Sequence, residues 1–428
     1  MNTLIILAMV VIALSFLIRV PIGLSMFSAS ILYLLLDGKN IGIVSDVAMS
    51  QLFSNTTIVA IPLFIFTANI MNSGEVTERI FTFTKALVGN KKGALAYINI
   101  IVSLIFSGMT GSAMADAAGI GIMEINEMKK DGYDAPFSAA LTSTTSTVGP
   151  IFPPSIPLVI YAMLTGTSTG KLFMGGMIPA LMISLVLGVY VWYISKKRNY
   201  PRGVQFTRAE FIDYTLKALP ALMTPIILLG GIYSGVVTPT EAGALAAVYT
   251  IFISIFAYKC LSFKGFVRVV RETVIQTGKI MVIAMSAWVL SFIVTSSGLA
   301  REIADLFISL TTNRIIFLLI VNVLFLFLGM LFDTQVLQFV FLPLVIPIAV
   351  ALNIDMIHFG VVIVVNMMIG LSSPPYGMLC FVSSAIAKTP VQSVFKEAIP
   401  MVALMIVVLL LITYFPPLIT AIPNMFMG

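Results

Sequence analysis

The sequence carries little charge. Only 10% of its 428 residues are Asp, Glu, Lys or Arg, compared with roughly 25% in an average soluble domain. Hydrophobic residues make up 59% of the chain, and its mean hydropathy is +1.07. A soluble core cannot hide so much apolar surface, so the sequence predicts an all-α membrane protein that crosses the bilayer many times.

Histidine and cysteine are also scarce. Cys260 and Cys380 lie far apart in predicted helices, which argues against a disulfide framework. The single histidine, His358, is expected near a helix end, and a Ser–His catalytic pair could use no other. Neither Asp116 nor Asp333 lies in the Gly-x-Gly-Asp pattern of aspartyl intramembrane proteases, and no P-loop lysine motif is present. The sequence therefore predicts neither an enzyme, nor an organic cofactor, nor direct use of ATP.

The net charge of +6 does not indicate nucleic-acid binding. The basic residues form short clusters between apolar runs, so membrane topology explains them, and membrane lipid is the expected surrounding. An ion channel would need a ring of charges or carbonyls from several identical subunits, and no helix here shows that pattern. The first apolar run lacks a basic leader and an Ala-x-Ala cleavage site, so we interpret it as a retained span.

The stretch STTSTVGPIFPPS, Ser143–Ser155, interrupts an apolar run with six hydroxyl side chains, a Gly-Pro and a Pro-Pro. Proline lacks an N–H and clashes with the preceding helical turn, and glycine allows the chain to leave helical geometry. Unwound backbone at membrane depth is tolerated only where protein or a water-filled cavity satisfies it. The stretch therefore predicts a broken helix at a binding site.

An internal repeat follows from the same motif. Gly149, Pro153 and Pro154 recur as Gly370, Pro374 and Pro375, a constant offset of 221 residues (374 − 153). Three further pairs share this offset without a gap: Met109/Met330, Asp134/Asp355 and Pro179/Pro400. The chain is predicted to contain two similar halves, residues 1–195 and 210–420.

The first half is predicted to begin with spans at Leu4–Phe16, Ile22–Leu36 and Thr57–Met71. Glu75–Val88 has helical spacing of charged and apolar residues and suits a helix along the membrane surface. A re-entrant hairpin follows, with its tip at Gly108–Ser112. One helix carrying Asp116, Glu124 and Glu127 is predicted to return from this tip to Lys129-Lys130, before the broken helix Ala135–Thr165.

The second half repeats this plan. It contains a hairpin at Ile315–Leu352, with its tip at Gly329–Thr334, and a broken helix at Met356–Ala387, interrupted at GLSSPPYG. Lysines flank the first hairpin at both ends, which places its ends in the cytoplasm by the positive-inside rule. An odd number of crossings in the first half then predicts two inverted repeats, with the second hairpin entering from outside.

The motifs GSAMAD, MKKDGYD, STVGPIFPPSIPLVIYA and TPTEAGALAAVY resemble the large membrane subunit of tripartite ATP-independent periplasmic (TRAP) transporters. The resemblance implies an elevator-type secondary transporter of the ion-transporter superfamily in the bacterial inner membrane, driven by Na⁺. It also implies two partners, a small four-helix membrane subunit and a periplasmic substrate-binding protein. The substrate it implies is an organic anion, with sialic acid favoured over a C4-dicarboxylate.

In this resemblance, residues 1–90 are scaffold helices with a first arm, and residues 91–195 are one half of a moving transport domain. Residues 196–312 are scaffold helices with a second arm, Leu299–Thr311, and residues 313–428 are the other transport half.

Sodium is a hard cation that prefers oxygen ligands, and hairpin tips facing unwound helices supply them. The first site is expected at Thr110, Ser112, Gly149, Phe152 and Pro154. The repeat offset places the second site at Met330, Asp333, Gly370, Ser373 and Pro375. The offset pairs Ser112 with Asp333 and Asp116 with Leu337, so the two sites are expected to differ.

An anionic substrate is expected between the tips and the N-termini of the half-helices, where N–H groups favour negative charge. Candidate contacts are Thr145, Ser146, Ser155, Ser372 and Tyr376. Hydroxyls in a membrane helix often bond the carbonyls of their own helix, and this alternative stays open for Thr142–Thr147. Asp116 could equally be a solvated residue near a tip, whereas Asp333 lies among Leu, Met and Phe, where an ionisable group indicates function.

Overall fold

A computed structural model describes residues 3–72, 74–299, 302 and 313–427 of the chain. The regular structure of its described part is helical, apart from an isolated β-bridge between Lys92 and Arg202. The first half has eleven α-helices: α1 Thr3–Leu17, α2 Ile22–Leu36, α3 Gly42–Ser54, α4 Ala60–Met71, α5 Gly74–Val88, α6 Ala94–Thr110, α7 Ala113–Ala118, α8 Ile120–Lys130, α9 Ala135–Thr145, α10 Ile156–Thr165 and α11 Thr169–Lys197.

Nine further α-helices lie in the described part of the second half: α12 Arg208–Tyr233, α13 Pro239–Phe252, α14 Phe263–Ser296, α15 Arg314–Leu331, α16 Thr334–Ala351, α17 Met356–Leu371, α18 Met378–Ala387, α19 Val391–Tyr414 and α20 Pro417–Met427. Short 3-10 turns cover Thr56–Val59 and Ser146–Val148, and a π-helical turn covers Ile253–Ala257. Almost all of the predicted second arm, Leu299–Thr311, lies outside the described residues.

Seven of the described helices are long and apolar enough to cross a membrane, and the number rises to eight if α3 and the Thr56–Met71 segment form one span bent by 72°. The other apolar helices are shorter, as expected where hairpins and broken helices replace continuous spans. The all-α membrane fold predicted from composition is therefore confirmed.

Helix ends in the two halves follow the 221-residue offset closely. Helix α6 ends at Thr110 and α15 at Leu331, a difference of 221 (331 − 110). The helices that leave the tips start at Ala113 and Thr334, and the broken helices start at Ala135 and Met356, again with this difference. The predicted breaks are confirmed in both halves, while the opposite orientation of the halves stays a prediction.

One element of the first hairpin differs from the prediction. The returning segment is two helices, α7 and α8, rather than one, because the backbone leaves helical geometry at Gly119, with φ −96° and ψ −97°. A Cβ atom at this position would lie 2.6 Å from the carbonyl oxygen of Ala115. Only glycine therefore fits this bend without moving the backbone.

Packing interleaves the two hairpin units. Helix α9 of the first half packs against α18 and α19 of the second, and α10 packs against α16 and α17. The helices that begin each half form a second set of contacts, in which α2 packs against α14 and α4 against α13 and α14. Helix α5 lies against α12. The broken helices consequently sit in the centre of the protein, and every residue of α17 from His358 to Leu371 is buried.

Candidate functional site

The first hairpin tip turns at Gly111 and Ser112. Gly111 has a left-handed φ of +58°, which L-residues with a side chain rarely adopt. A Cβ atom there would lie 2.5 Å from the carbonyl oxygen of Pro154 and 3.2 Å from the amide nitrogen of Ile156. The tip backbone therefore touches the broken helix directly. Ser112 then caps α7, and its hydroxyl accepts a hydrogen bond from the Ala115 N–H at 3.4 Å.

The first break runs from Ser146 to Ser155. The hydroxyl of Ser155 caps α10 by accepting from the Leu158 N–H at 3.2 Å, and it also donates to the carbonyl of Pro150. The Pro153-Pro154 bond is cis, and so is its counterpart Pro374-Pro375. The unwound backbone at Gly149 and Pro150 is buried, as expected where protein rather than lipid surrounds the break in a membrane helix.

The second hairpin also packs backbone against backbone on its own broken helix. A Cβ atom built on Gly370 would lie 2.7 Å from both the Cα and the carbonyl carbon of Gly329. Asp333 caps α16, and its carboxylate accepts from the Gln335 N–H at 2.9 Å. This tip therefore turns without a glycine in left-handed geometry, since Phe332 and Asp333 have φ of −120° and −64°.

The two tips share one small cavity of about 50 Å³. The first tip contributes Gly111 and Ser112, the second contributes Asp333 to Gln335, and Pro150 of the first break also lines it. Gln338 ties the halves together beside this cavity, because its side-chain amide donates to the carbonyl of Pro157 at 2.8 Å. Residues from both repeats thus converge at one point.

The predicted sodium ligands of the first site lie at the contact between tip and break. Thr110 is buried, and its hydroxyl donates to the Phe106 carbonyl at 3.2 Å. A Cβ atom built on Gly149 would lie 3.9 Å from the Ser112 carbonyl oxygen, so these two residues are adjacent. Phe152 is half-buried and Pro154 is buried beside Gly111. Hydroxyl and carbonyl oxygens of this kind are suitable sodium ligands.

The second set of predicted sodium ligands is less enclosed. Met330 and Asp333 lie on either side of the tip, and Gly370 touches that hairpin at Gly329. The Ser373 hydroxyl donates to the Ile369 carbonyl at 2.6 Å, while Pro375 is exposed. Asp333 is the one predicted sodium ligand of either set with an ionisable side chain.

None of the five predicted substrate residues lines the shared cavity. Thr145 is fully buried and donates to the Asn99 side-chain oxygen at 2.6 Å, and Ser372 donates to the carbonyl of Ile369 at 3.2 Å. Ser146 is fully buried, and Ser155 caps α10 as described above. Tyr376 has 59% of its surface exposed. Their contact with substrate stays a prediction.

Asn99 was missed in the sequence, although it organises the hydroxyl cluster before the first break. Its amide donates to the Thr142 hydroxyl at 2.7 Å, and its carbonyl oxygen accepts from Thr145. All three side chains are fully buried. The available signal was a carboxamide side chain inside the apolar run Ala94–Phe106, in which Ser103 is a second polar residue.

Arg198 forms a second polar network that the sequence did not reveal. Its guanidinium binds both carboxylate oxygens of Glu397, at 2.8 and 2.9 Å, and reaches Asp134 at 3.1 Å. The Tyr200 hydroxyl donates to Asp134 at 2.7 Å, and its ring stacks on Tyr133. Burial, together with Asp134, raises the pKa of Tyr200. The network joins the start of the first broken helix to α19 of the second half.

A family model described as "Tripartite ATP-independent periplasmic transporter, DctM component" matches residues 8–418. The chain belongs to this family. The resemblance seen in its motifs is therefore confirmed, and members of this TRAP family work with a substrate-binding protein and a small membrane subunit. The chain is accordingly a transporter permease rather than an enzyme, and it is a multi-pass protein of the bacterial inner membrane.

Relatives support this placement along nearly the whole chain. This TRAP permease is 38% identical to the sialic acid TRAP transporter large permease protein SiaM of Vibrio cholerae, over 95% of this chain and 96% of SiaM. It is 35% identical to the C4-dicarboxylate TRAP transporter large permease protein DctM of Pseudomonas aeruginosa, over 86% of each chain. The crystal structure of the Alcanivorax borkumensis YdaH transporter, reported to have an unusual topology, matches 86% of this chain and 87% of its own with a TM-score of 0.63. At 12% identity, that match shows a shared fold.

Proposed function

We propose that this TRAP permease uses the entry of Na⁺ to drive uptake of an organic carboxylate received from a periplasmic substrate-binding protein. In this proposal, a transport domain built from the two hairpins and the two broken helices moves past the remaining helices as an elevator. A small four-helix membrane subunit completes the assembly. The interleaved packing of α9 and α10 with helices of the second half supports a single moving body.

The observation that carries the proposal is the shared cavity at the two tips. Ser112, Pro150 and Asp333 line it, the first tip contacts Pro154 in the first break, and the second hairpin contacts its own broken helix at Gly370, just before the second break. Sodium bound at a tip would hold that tip against its break, which favours the arrangement needed by the substrate. The same linkage makes substrate favour sodium binding, and this reciprocity couples the two fluxes.

Sialic acid is the substrate that we favour, because SiaM, whose name carries it, is 38% identical over 95% of the chain. A C4-dicarboxylate is the second candidate, since DctM of Pseudomonas aeruginosa is 35% identical. Both substrates carry carboxylates, and the backbone N–H groups at the starts of α10 and α18 favour binding of a negatively charged group. Of the proposed contacts, Ser155 and Tyr376 lie closest in sequence to these helix starts.

Uptake by proteoliposomes tests the proposal. They would contain this chain, its small subunit and its binding protein, with radiolabelled sialic acid outside and an inward gradient of either Na⁺ or K⁺. Wild type is compared with Asp333→Asn, which removes a charge at the second tip but keeps a good helix cap. Asp355→Asn is the matched control, because Asp355 caps α17 through the Ile357 and His358 N–H groups, away from the tip.

We expect uptake only with the sodium gradient and the binding protein, a severe loss for Asp333→Asn, and near wild-type uptake for Asp355→Asn. Equal uptake in sodium and potassium gradients would reject sodium coupling. Sodium-dependent uptake that ignores Asp333→Asn would reject the second site alone. If sialic acid fails and a C4-dicarboxylate is carried, the substrate assignment is wrong while the transport mechanism stands.

A further inference from the structure

Three polar side chains from three different elements meet inside the first hairpin unit. Asp116 lies on α7, Ser103 on α6, and Ser146 on the 3-10 turn that begins the first break, and each is 0% exposed. The Ser103 hydroxyl donates to Asp116 Oδ2 at 3.1 Å. The Ser146 side chain also lies beside this carboxyl group. We call these three residues the hairpin carboxylate cluster.

The cluster has oxygen atoms with few partners. Asp116 Oδ1 and the Ser146 hydroxyl are both buried, and within the described part of the chain neither has a partner other than the second atom of this pair. Among the described residues no Lys or Arg forms a salt bridge with Asp116, and a second buried acid, Glu124, lies close enough to interact with it electrostatically. A buried carboxylate without a cationic partner is costly in a membrane protein, so such residues mark ion pathways and binding sites.

The second repeat shows that the fold does not need these polar groups. The 221-residue offset pairs Ser103, Asp116 and Ser146 with three apolar residues: Leu324, Leu337 and Met367. The end of the helix before each tip and the starts of the next helix and of the broken helix follow the same offset. The local backbone differs, since α16 continues without the bend at Gly119 and Met367 lies inside α17 rather than on a 3-10 turn. The shared plan of the repeats does not require polar groups at these positions, and their joint presence in the first repeat favours a ligand specific to it.

The cluster is also connected to the first proposed sodium site. The Asp116 N–H donates to the carbonyl of Ser112 at 3.0 Å, and the Gly149 N–H donates to the carbonyl of Ser146 at 3.3 Å. Ser112 and Gly149 are predicted ligands of that site. Each therefore shares a backbone hydrogen bond with one member of the cluster, and an ion in one place would help to fix the other.

We propose that the hairpin carboxylate cluster binds an additional Na⁺, held by the carboxylate of Asp116 and the hydroxyls of Ser103 and Ser146. The ligands are all hard oxygen donors, which suits an alkali cation rather than a transition metal. The inference rests on the proposed sodium coupling and adds one ion to the two predicted tip sites.

Equilibrium binding of radioactive sodium tests this site without any transport. The full chain, purified with its small subunit in lipid nanodiscs, is compared with Asp116→Asn, which keeps the shape and can still accept from Ser103. Glu127→Gln is the matched control, since Glu127 is an acid of the same hairpin whose carboxylate already accepts hydrogen bonds from Lys85 and Lys130. Thermal unfolding in potassium buffer shows whether each variant is folded.

We expect Asp116→Asn to bind one sodium ion fewer per chain than wild type and Glu127→Gln to bind the same number. The double replacement Ser103→Ala/Ser146→Ala should lose the same ion while keeping the acid. An unchanged number of ions in Asp116→Asn would overturn the inference, and so would an equal loss in Glu127→Gln. If wild type itself binds no sodium, the proposed sodium coupling fails, and this inference fails with it.

Discussion

Gly149 and Gly370 occupy the same position in the two repeats, and replacing each with alanine should have opposite outcomes. A Cβ atom on Gly370 would lie 2.7 Å from two backbone atoms of Gly329. The nearest atom to a Cβ on Gly149 is the Ser146 carbonyl oxygen, at 3.3 Å, and the tip residue Ser112 is 3.9 Å away. The second tip must therefore move in Gly370→Ala, while the first tip has room in Gly149→Ala.

The size of the effect follows from these distances. Ordinary van der Waals contact begins near 3.4 Å, so the second tip must retreat by about 0.7 Å in Gly370→Ala (3.4 − 2.7). Overpacking of this kind costs about 1–3 kcal/mol, but alanine in place of glycine inside a helix recovers up to about 1 kcal/mol. Global stability should therefore change little. A misplacement approaching 1 Å at a reacting or binding centre can cost on the order of a hundredfold in rate.

Initial uptake rates in proteoliposomes measure this difference. We expect Gly370→Ala to lose about two orders of magnitude in sodium-dependent uptake, and Gly149→Ala to stay within a few-fold of wild type. Both variants should melt close to the wild-type temperature, which excludes misfolding as the cause. Equal rates for the two variants, or full activity of Gly370→Ala, would refute the argument from backbone contact.

Three further predictions concern polar contacts. Arg198→Ala should lower the melting temperature, because Glu397 and Asp134 lose charge-assisted hydrogen bonds that, being partly exposed, are worth about 1–2 kcal/mol together. Hydrogen bonds from Lys85 and, to a smaller extent, from Lys130 lower the pKa of Glu127. The stability that the ionised Glu127 contributes should therefore be present above the usual Glu pKa and be lost as the pH falls through the lowered value. Asn99→Ala should cost about 1–3 kcal/mol, because buried hydroxyls lose their partner.

Thermal melts with matched variants check these three predictions. Lys217→Ala breaks an exposed pair with Asp213 and should leave the melting temperature unchanged, in contrast to Arg198→Ala. Glu127→Gln should differ from wild type at neutral pH and match it in acid; a constant difference across the pH range would contradict the ion-pair explanation. Asn99→Asp keeps an acceptor for the Thr145 hydroxyl. If that hydrogen bond stabilises the protein, Asn99→Asp should lower the melting temperature less than Asn99→Ala does.

The positions of the breaks could be predicted from sequence because their cause is local. Pro150, Pro153 and Pro154 cannot continue a helix wherever the chain folds, and the 221-residue offset transfers the same conclusion to the second half. Both hairpin tips were located for the same reason, since Gly111 and Gly329 lie where the chain must turn or approach another backbone closely. Local stereochemistry thus determined most of the fold.

Contacts between distant residues could not be predicted in this way. The pairing of Arg198 with Glu397 joins residues 199 positions apart, and the meeting of Ser112 with Asp333 at one cavity depends on how the two units interleave. The hydroxyls before the first break illustrate the same limit. Their number indicated a binding site, but Thr145 is engaged by Asn99, a partner that only the folded structure reveals.

The different construction of the two tips has a consequence for how the protein can evolve. The first tip depends on Gly111, whose left-handed backbone and contact with Pro154 leave no room for any side chain. The second tip turns at Phe332 and Asp333, where the backbone suits any L-residue. Selection for a new substrate or coupling ion should therefore collect substitutions at the second tip, while the first tip keeps its sequence.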